Sequence, residues 1–456
     1  MTIRSKFATL AMLGLLGLSA GSCSDFLDPT PQTSVDRNDV FTDLEGARGA
    51  VIGIYGALTS SNYYGLEYPI FADLVADNLA HIGTFPTFAQ IKNRNILTDN
   101  ANNQNTYFAL YRTIGRANNV IAQVPGITSI EETQRNAFVA EALFLRALAH
   151  FDATRYWGDV AIVLTPTSTP DATLNVARSP QAAVYEQVLT DLAAAEPSLP
   201  EVNVGRATKS AARALRARVE LYRKNWQAAA AAADQIIASN RFQLLPSYRT
   251  IFTTENSIES IFEVQFDANT SSQYAFYFLP GSSGGRNELS PTGAASSLPT
   301  AYEAGDLRKD ATISNGAATV TTSNGLRIPA GYGIKFIDPG TGTDNFRVFR
   351  FAEILLIGAE AKAQLGDIPG SLTLLNRVRV RAGLAARAGL TQAALLDAIA
   401  QERRVELALE GHRWFDLVRT GRAQSVLGIV DPNRLLFPIP FRETVNNPNI
   451  TQNPGY

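Results

Sequence analysis

Three glutamates spaced four residues apart are the leading candidates for acid–base chemistry in this sequence. Glu402, Glu406 and Glu410 fall on one face of a predicted helix. Paired carboxylates hydrolyse glycosides when a cleft holds them about 5 Å or about 6.5–9.5 Å apart. Five arginines are close in the sequence: Arg403, Arg404, Arg413, Arg419 and Arg422. Because guanidinium groups stabilise ionised carboxylates, this pattern favours a structural ion network over a catalytic pair.

A second catalytic candidate is Ser283, which lies in a G-x-S-x-G match at residues 281–285. A nucleophile elbow needs a helix directly after the serine. The chain instead reaches Pro291 within a few residues, which favours a flexible surface loop. The sequence therefore predicts no catalytic residue. A surface hydrolase or esterase that uses Ser283, or the acids Glu406 and Glu410, is the alternative.

Metal ligands and cofactor-binding motifs are not predicted either. The three histidines, His81, His150 and His412, lie in different segments, and none has a partner three or four residues away. His150 falls in an amphipathic helix, which predicts a hydrogen-bonded structural role. With one cysteine, Cys23, the chain has neither an internal disulfide nor a cysteine-based metal site.

Aromatic and polar side chains in two segments have the chemistry to bind a sugar. Aromatic rings stack on the apolar C–H faces of sugar rings, and polar side chains bond the hydroxyl groups. The predicted ligand-binding residues are Asn62, Tyr63, Tyr64, Tyr68, Asp73, Asp77, Asn78, Phe85, Arg94, Tyr274, Tyr277 and Tyr332. Packing in the core is the competing interpretation for each of them. Adjacent tyrosines cannot both face the core of a regular strand, so we expect Tyr63 or Tyr64 to be exposed.

Helices must position most of these residues. Apolar residues at three- and four-residue spacings predict helices at 42–58, 105–124, 131–156, 180–196, 207–224, 226–239, 346–366, 369–381 and 391–409. Residues 241–345 are rich in Gly, Ser, Thr, Asn and aromatic residues, which predicts irregular structure with short strands such as 260–266. From Val430 onward the sequence is rich in Pro and Asn, which predicts a loop.

A weak internal repeat relates two of the predicted helix pairs. At an offset of 142 residues, Ala217 aligns with Ala359 and Ala228 falls on Gly370. Small residues there would let two helices approach closely, and residues 138–159 form a partial third copy. Such pairs resemble tetratricopeptide repeats. The sequence therefore predicts a mostly α fold in which tetratricopeptide-like helix pairs form an α-solenoid scaffold, with a loop-rich, short-strand insertion.

The N-terminus has the features of a lipoprotein signal. Arg4 and Lys6 precede an apolar segment at residues 7–18, and small residues lead to Cys23. This predicts a signal peptide at residues 1–22, lipidation of Cys23 and a polar tether at residues 23–40. An ordinary secretory signal with an incidental cysteine is the alternative. Each buried CH₂ contributes about 0.8 kcal/mol, so three acyl chains such as palmitate would anchor the protein firmly.

Charge and hydropathy exclude two further classes. The 40 basic and 42 acidic residues give a net charge of −2, which does not favour general nucleic-acid binding. After residue 22 no apolar run is long enough for a transmembrane helix.

Five motifs, in order along the chain, resemble the SusD/RagB family of outer-membrane nutrient-binding lipoproteins from Bacteroidota-type bacteria. They are CSDFLDPTPQT from Cys23, ALYRTIGRANNVIAQVP at 109–125, EALFLRALAHFDATRYWGDVAI at 141–162, ERRVELALEGHRWFDLVRTGR at 402–422 and FPIPFRETVNNPNITQNPGY at 437–456. In the third motif Ala161 replaces the proline that is usual in the family. The resemblance covers essentially the whole chain.

The resemblance implies a SusD-like architecture with an N-terminal helical part at 41–240, a loop-rich variable part at 241–345 and a C-terminal part at 346–456. It also implies a protein without catalysis or cofactor, lipid-anchored and exposed at the outer membrane surface. Such proteins capture oligosaccharides, or peptides in some branches, for a SusC-like TonB-dependent barrel. Trp414 and Phe415 would be core anchors. The polar residues His412, Arg413, Asp416 and Arg419 would pin their helix to the C-terminal loops. The family's ligand residues carry no motif.

Overall fold

Helices make up most of the protein. The computed structural model describes residues 40–167 and 175–456. The predicted signal peptide, Cys23 and the tether up to residue 39 therefore lie outside the described residues. The helices are α1 Leu44–Leu58, α2 Glu67–Leu74, α3 Pro86–Lys92, α4 Ala101–Gln123, α5 Glu132–Trp157, α6 Gln181–Ala195, α7 Lys209–Tyr222, α8 Trp226–Ala238, α9 Thr250–Thr253, α10 Tyr274–Phe278, α11 Arg308–Thr312, α12 Phe351–Gln364, α13 Ile368–Arg381, α14 Gln392–Glu406, α15 Arg413–Arg419, α16 Ala423–Leu427 and α17 Phe441–Asn446.

The long helices pack as consecutive pairs, so the predicted fold class is confirmed. The helices α4 and α5 pack together, as do α7 with α8 and α12 with α13. The two pairs that the internal repeat predicted are neighbours, because α8 packs on α12. The close approach occurs at Gly358, where an added Cβ would lie 2.9 Å from Leu374 and 3.4 Å from Ala233. The small residues that the sequence favoured, Ala228 and Gly370, are instead partly exposed.

Three two-stranded antiparallel ladders connect distant parts of the chain. The strands are β1 Ala80–His81, β2 Val160–Ala161, β3 Arg178–Ser179, β4 Ser260–Val264, β5 Leu289–Ser290 and β6 Phe346–Arg350. β1 pairs with β5, β2 with β3 and β4 with β6. The predicted helix start at residue 346 is wrong, because residues 346–350 pair with β4 and are buried on both faces. The β1–β5 ladder joins the N-terminal helices to the loop-rich part.

The predicted core anchors Trp414 and Phe415 are buried, and so is Trp157. The indole Nε1 of Trp157 donates to the carbonyl of Pro438 at 3.1 Å, which fixes the C-terminal tail against α5. That tail contains the short helix α17, which the prediction of a loop missed. Among the described residues no helix combines the length and the apolar composition needed to cross a bilayer.

The polar side chains of α15 were predicted to contact the C-terminal loops, but they contact other elements. Arg413 binds Asp77 after α2, Asp416 binds Arg403 on α14, and Arg419 binds Glu360 on α12. The prediction that these side chains hold the helix to the C-terminal loops is therefore wrong. The arginine side chains reach across helix–helix contacts to carboxylates that a local sequence pattern does not identify.

Candidate ligand-binding site

The three glutamates spaced four residues apart form a buried ion network, as predicted. Glu406 is fully buried, and its Oε1 accepts a hydrogen bond from Arg350 Nη1 at 2.6 Å and another from Arg381. Its Oε2 accepts from Arg308 Nη1 at 2.9 Å. Burial raises the pKa of Glu406, but Arg381, Arg350 and Arg308 outweigh burial and hold that pKa well below its usual range. All the acceptor positions of this carboxylate therefore face structural partners.

The flanking glutamates have partners of the same kind. Glu410 accepts from Arg350 Nε at 2.7 Å and from Lys335 Nζ at 2.6 Å. Glu402 accepts from Arg308 at 2.6 Å. Burial raises the pKa of Glu402 above its ordinary value despite this arginine. None of the three carboxylates faces a cleft, because each is at most 5% exposed.

Ser283 and His150 have structural roles. Ser283 ends a 3₁₀ turn at Gly281–Ser283, and its hydroxyl donates to the carbonyl of Arg327 at 2.6 Å. It is fully buried, so the interpretation of this segment as a flexible surface loop is wrong at Ser283 itself. His150 accepts from Val163 N at 3.3 Å and lies 3.1 Å from the carbonyl of Arg146. Burial lowers the pKa of His150 to about 3, so this imidazole is neutral, and its predicted structural role is confirmed.

The predicted exposure of Tyr63 or Tyr64 is wrong. Both tyrosines are buried, and both hydroxyls donate to Asp152 Oδ2, at 2.7 and 2.6 Å. They are not in a strand but in the turns before α2, where the backbone lets adjacent side chains point to the same side. Tyr68 is buried beside them, and Tyr274 donates to the carbonyl of Tyr64 at 2.7 Å.

Asp73 and Asn78 are also in the core. Asn78 donates to Asp73 Oδ1 at 2.7 Å, and the backbone N–H groups of Leu409 and Gly411 donate to the same carboxylate. Burial raises the pKa of Asp73 to about 6. The pair thus holds the turn between α14 and α15. The six predicted binding residues Tyr63, Tyr64, Tyr68, Asp73, Asn78 and Tyr274 are each at most 2% exposed, which leaves no surface for a ligand.

Two of the predicted residues, Phe85 and Tyr277, meet at the surface. Their ring centroids are 6.1 Å apart, and both side chains are half-buried. The buried ring of Phe88 supports them from below, at 5.6 Å from Phe85 and 6.1 Å from Tyr277. Phe276 lies 5.5 Å from Tyr277. We call Phe85, Phe276 and Tyr277 the aromatic surface.

A polar group borders the aromatic surface. Glu67 begins α2 and accepts from Thr106 at 3.1 Å and from the Asn102 amide. The amide of Asn62, another predicted binding residue, lies close enough to this carboxylate to lower its pKa. Burial raises the pKa of Glu67 to about 7, although these hydrogen bonds lower it. Gln273 N, just before α10, donates to the carbonyl of Gly65 at 2.9 Å, which brings the segment before Glu67 next to the helix that carries Tyr277. Glu67 itself is buried, but the amides of Asn62 and Asn102 are partly exposed and have the chemistry to bond sugar hydroxyls near the rings.

A buried carboxylate, Glu288, holds the two loops of the aromatic surface together. Glu288 accepts from Thr84 N at 2.9 Å and from Arg286 Nε at 2.7 Å. His81 Nε2 lies 3.3 Å from the same carboxylate. Burial raises the pKa of Glu288, but Arg286 and the other donors outweigh burial and hold it below its ordinary value. The guanidinium of Arg286 then covers the ring of Phe85, 4.3 Å from its centroid.

A substitution at Gly83 tests the position of the Glu288 carboxylate, because a Cβ added there would lie 1.8 Å from Glu288 Oε2. We expect Gly83→Ala to displace the carboxylate and to lower the free energy of unfolding by about 1–3 kcal/mol. The control is Gly49→Ala on α1, where no atom lies within 4 Å of the added Cβ. For Gly49→Ala we expect the free energy of unfolding to rise by roughly 1 kcal/mol, since alanine favours the helix. Chemical denaturation measures both, and effects of the same sign would contradict the assigned contact.

The remaining predicted residues have no described contact with the rings of Phe85 and Tyr277. Asp77 follows α2 and binds Arg413 Nε at 2.7 Å, while Arg94 donates to the carbonyl of Val75 at 2.9 Å. Tyr332 is half-buried in the loop-rich part, where its carbonyl accepts from Ser314 N at 2.8 Å. The structure therefore brings Asn62, Phe85 and Tyr277 together, while Tyr332 has no contact that links it to them among those described.

Sequence reasoning missed four residues of this site: Glu67, Asn102, Arg286 and Glu288. One signal was available, because four asparagines occur at residues 100–105, where helix α4 begins. Such a run of amides at a helix start predicts caps and surface hydrogen bonds. Arg286 and Glu288 gave no such signal, because their partners lie about 200 residues earlier in the chain.

Two family models match the chain. One, described as the SusD family, matches residues 300–434. The other, described as starch-binding associating with outer membrane, matches residues 25–221. The two matches include three of the motifs named above, at 109–125, 141–162 and 402–422. Together they cover most of both helical parts and leave residues 222–299 and 435–456 unmatched.

Relatives and solved structures agree with these matches. A SusD-like protein of Formosa agariphila is 28% identical, over 99% of this chain and all of its own length. A SusD-like protein of Bacteroides ovatus is 26% identical, over 91% of this chain and 82% of its own. A solved laminarin-binding SusD-like protein is 27% identical, with a TM-score of 0.78 over 91% of this chain and all of its own. A SusD superfamily protein of Bacteroides vulgatus is 22% identical and shares the fold, with a TM-score of 0.80 over 91% of this chain and all of its own.

Proposed function

This chain belongs to the SusD/RagB family, and we propose that it binds glycans at the outer membrane surface and delivers them to a SusC-like TonB-dependent transporter. A lipid on Cys23 would anchor it, and the tether would permit a hinged closure over the barrel. The relative described as laminarin-binding supports a carbohydrate ligand. A peptide is the alternative ligand within the same family.

The aromatic surface is the observation that carries this proposal. Phe85 and Tyr277 present half-buried rings near partly exposed amides, and the buried Phe88 holds the rings in place. A sugar ring would stack on them and bond Asn62 or Asn102 with its hydroxyl groups. Rings that are already fixed lose little conformational freedom on binding, which favours affinity.

We propose binding without catalysis. The candidate acids Glu402, Glu406 and Glu410 are occupied by arginine and lysine, and the hydroxyl of Ser283 is bonded to a carbonyl. A general acid for glycoside hydrolysis needs a raised pKa and access to the scissile bond. Glu406 and Glu410 have lowered pKa values and Glu402 has no access, so none of the three meets both requirements. Release of reducing ends from polysaccharide panels would contradict this.

Glycan binding is tested by calorimetry with the mature chain and an oligosaccharide panel. We expect Phe85→Ala and Tyr277→Ala each to weaken binding about ten-fold, because each removes a stacking ring. The control is Phe242→Ala, which removes a half-buried ring that stacks on Phe351 instead. Equal losses in all three variants, or binding of peptides alone, would contradict a glycan site on the aromatic surface.

The transporter part is tested separately by mild-detergent purification of the tagged, lipidated protein from native outer membranes. We expect a large β-barrel to copurify in stoichiometric amount. A stable, surface-exposed protein that copurifies with no barrel would contradict delivery to a transporter while leaving glycan binding intact.

A further inference from the structure

Two cations near the aromatic surface have no acidic partner. Lys92 is the last residue of α3, and its Nζ donates to the carbonyl of Ala76 at 2.7 Å. Arg94 follows it, and Nη1 donates to the carbonyl of Val75 at 2.9 Å. In the described parts of the chain neither side chain forms an ion pair with a carboxylate. Both are half-buried, so water solvates them only in part.

Two more arginines adjoin them and share one carboxylate. Arg404 Nη2 lies 3.0 Å from Asp77 Oδ2, and Arg413 Nε lies 2.7 Å from Asp77 Oδ1. We call Lys92, Arg94, Arg404 and Arg413 the basic cluster. It has four positive charges around Asp77. Asp73 is a second acid near Arg404, and it is buried and held by backbone N–H groups.

This excess of positive charge differs from the other ion clusters of the fold. In the network of Glu406, each of the three arginines reaches at least two carboxylates. In the basic cluster the cations outnumber the carboxylates, because four cations surround the single carboxylate of Asp77. Burial and, to a smaller extent, the charge of Arg94 lower the pKa of Lys92 to about 8, although Asp77 acts in the opposite direction. Burial also lowers the pKa of Arg404, and Arg413 adds to that effect. An added anion would relieve this repulsion.

The backbone of Arg94 has an unusual conformation. Its φ is +57°, in the left-handed region, two residues beyond the end of α3. Helices usually have glycine at this position, because a Cβ there is strained. The backbone bonds that end the helix, from Arg94 N to Ile91 O and from Asn95 N to Gln90 O, do not need a side chain. The side chain of residue 94 is therefore not needed to end the helix, and Lys224 has the same conformation two residues beyond α7.

We infer that the basic cluster binds an anionic substituent of the glycan, either a carboxylate or a sulfate ester. This inference rests on the proposed function, since the aromatic surface would hold the sugar rings. Phe85 directly precedes α3 and Lys92 ends it, so the two sites are about 10 Å apart along this helix. The oxygens of the substituent would accept charge-assisted hydrogen bonds from Lys92 Nζ and the guanidinium of Arg94.

The test compares a neutral oligosaccharide with its uronate and its sulfated counterpart, each titrated separately into the mature protein. We expect at least one acidic form to bind about ten-fold more tightly than the neutral form. That preference should shrink as salt rises from 0.05 to 0.5 M, because salt screens partly exposed charges. The arm that shows the preference identifies the substituent.

Two variants localise the effect. We expect Lys92→Gln and Arg94→Gly each to remove most of the preference while they leave neutral affinity unchanged. Glycine relieves the backbone strain at residue 94, so a lower melting temperature should not accompany the loss. The control is Arg48→Gln, which removes an exposed charge on α1.

The outcomes separate this inference from the proposed function. If the neutral glycan binds and depends on Phe85, but neither acidic form binds more tightly, the inference is wrong and the proposed function stands. If Arg48→Gln abolishes the preference as fully as Lys92→Gln does, the effect is one of overall charge and the inference is again wrong. If no glycan binds, the proposed function is wrong and the inference fails with it.

Discussion

Replacing Glu406 with alanine is expected to lower the free energy of unfolding by about 3–5 kcal/mol. The carboxylate is fully buried and accepts hydrogen bonds from Arg308, Arg350 and Arg381. Without it, three buried guanidinium groups keep their charge but lose an acceptor. Removing one partner of a buried network is costly, because the remaining charges have already been taken out of water.

Chemical denaturation of Glu406→Ala, with Glu406→Gln beside it, measures this effect. The control is Glu45→Gln, which changes an exposed glutamate on α1 and should cost less than about 1 kcal/mol. The arginines hold the folded pKa of Glu406 below its ordinary value of 4.5. The stability it contributes is therefore present above pH 4.5 and is lost as pH falls toward the folded pKa. The difference between wild type and variant should narrow in acid, and a difference that is small or independent of pH would contradict this role.

The existence of this network was predictable, but its partners were not. Glutamates at a spacing of four beside arginines indicate charges that are matched rather than catalytic, and the structure confirms this at Glu402, Glu406 and Glu410. The main partners, Arg308 and Arg350, lie 98 and 56 residues from Glu406. Helix periodicity fixes which face of α14 is buried, but it does not determine which distant segment covers that face.

The candidate site was predictable to a smaller extent. Phe85 and Tyr277 were chosen for their chemistry, and the ladder between β1 and β5 brings them together. Each of these strands has two residues, too few for a pattern of alternation to be detected. Tyr63 and Tyr64 had the same chemistry but belong to the core, because Asp152 on α5 accepts both hydroxyls. A buried carboxylate in a helix gives no local sign of the residues that it will bond.

The helical scaffold and the proposed ligand-binding surface depend largely on different segments of the chain. The paired helices lie in segments with recognisable periodicity, and the family models match most of them. Phe276 and Tyr277 lie in the loop-rich part, whose link to the loop of Phe85 depends on the ladder between β1 and β5 and on Glu288 with Thr84 N. Loops held by few contacts tolerate substitution, so the ligand can change while the scaffold is kept.

Replacing Glu67 with glutamine is expected to give a pH dependence of the opposite sign. Burial raises the folded pKa of Glu67 from 4.5 to about 7, and its hydrogen-bond partners, such as Asn102 and Thr106, are neutral. A raised folded pKa means that stability is fully present below pH 4.5 and is lost as pH rises through about 7. The shift of about 2.5 pKa units corresponds to roughly 3 kcal/mol. Glutamine does not ionise, so the variant should gain about that much relative to wild type between pH 4.5 and pH 8.

Denaturation midpoints of Glu67→Gln and wild type at pH 4.5, 6 and 8 measure this gain, with Glu132→Gln as an exposed control that should show none. A difference that stays constant with pH would contradict the assigned burial. The same titration bears on recognition, because Asn102, which we propose to bond the sugar, donates to this carboxylate. A bound sugar hydroxyl would donate to the ionised form and so favour it. Glycan binding should therefore lower the pKa of Glu67 and reduce the difference at pH 8. If a ligand leaves the pH dependence of the wild-type denaturation midpoint unchanged, it binds elsewhere on the protein.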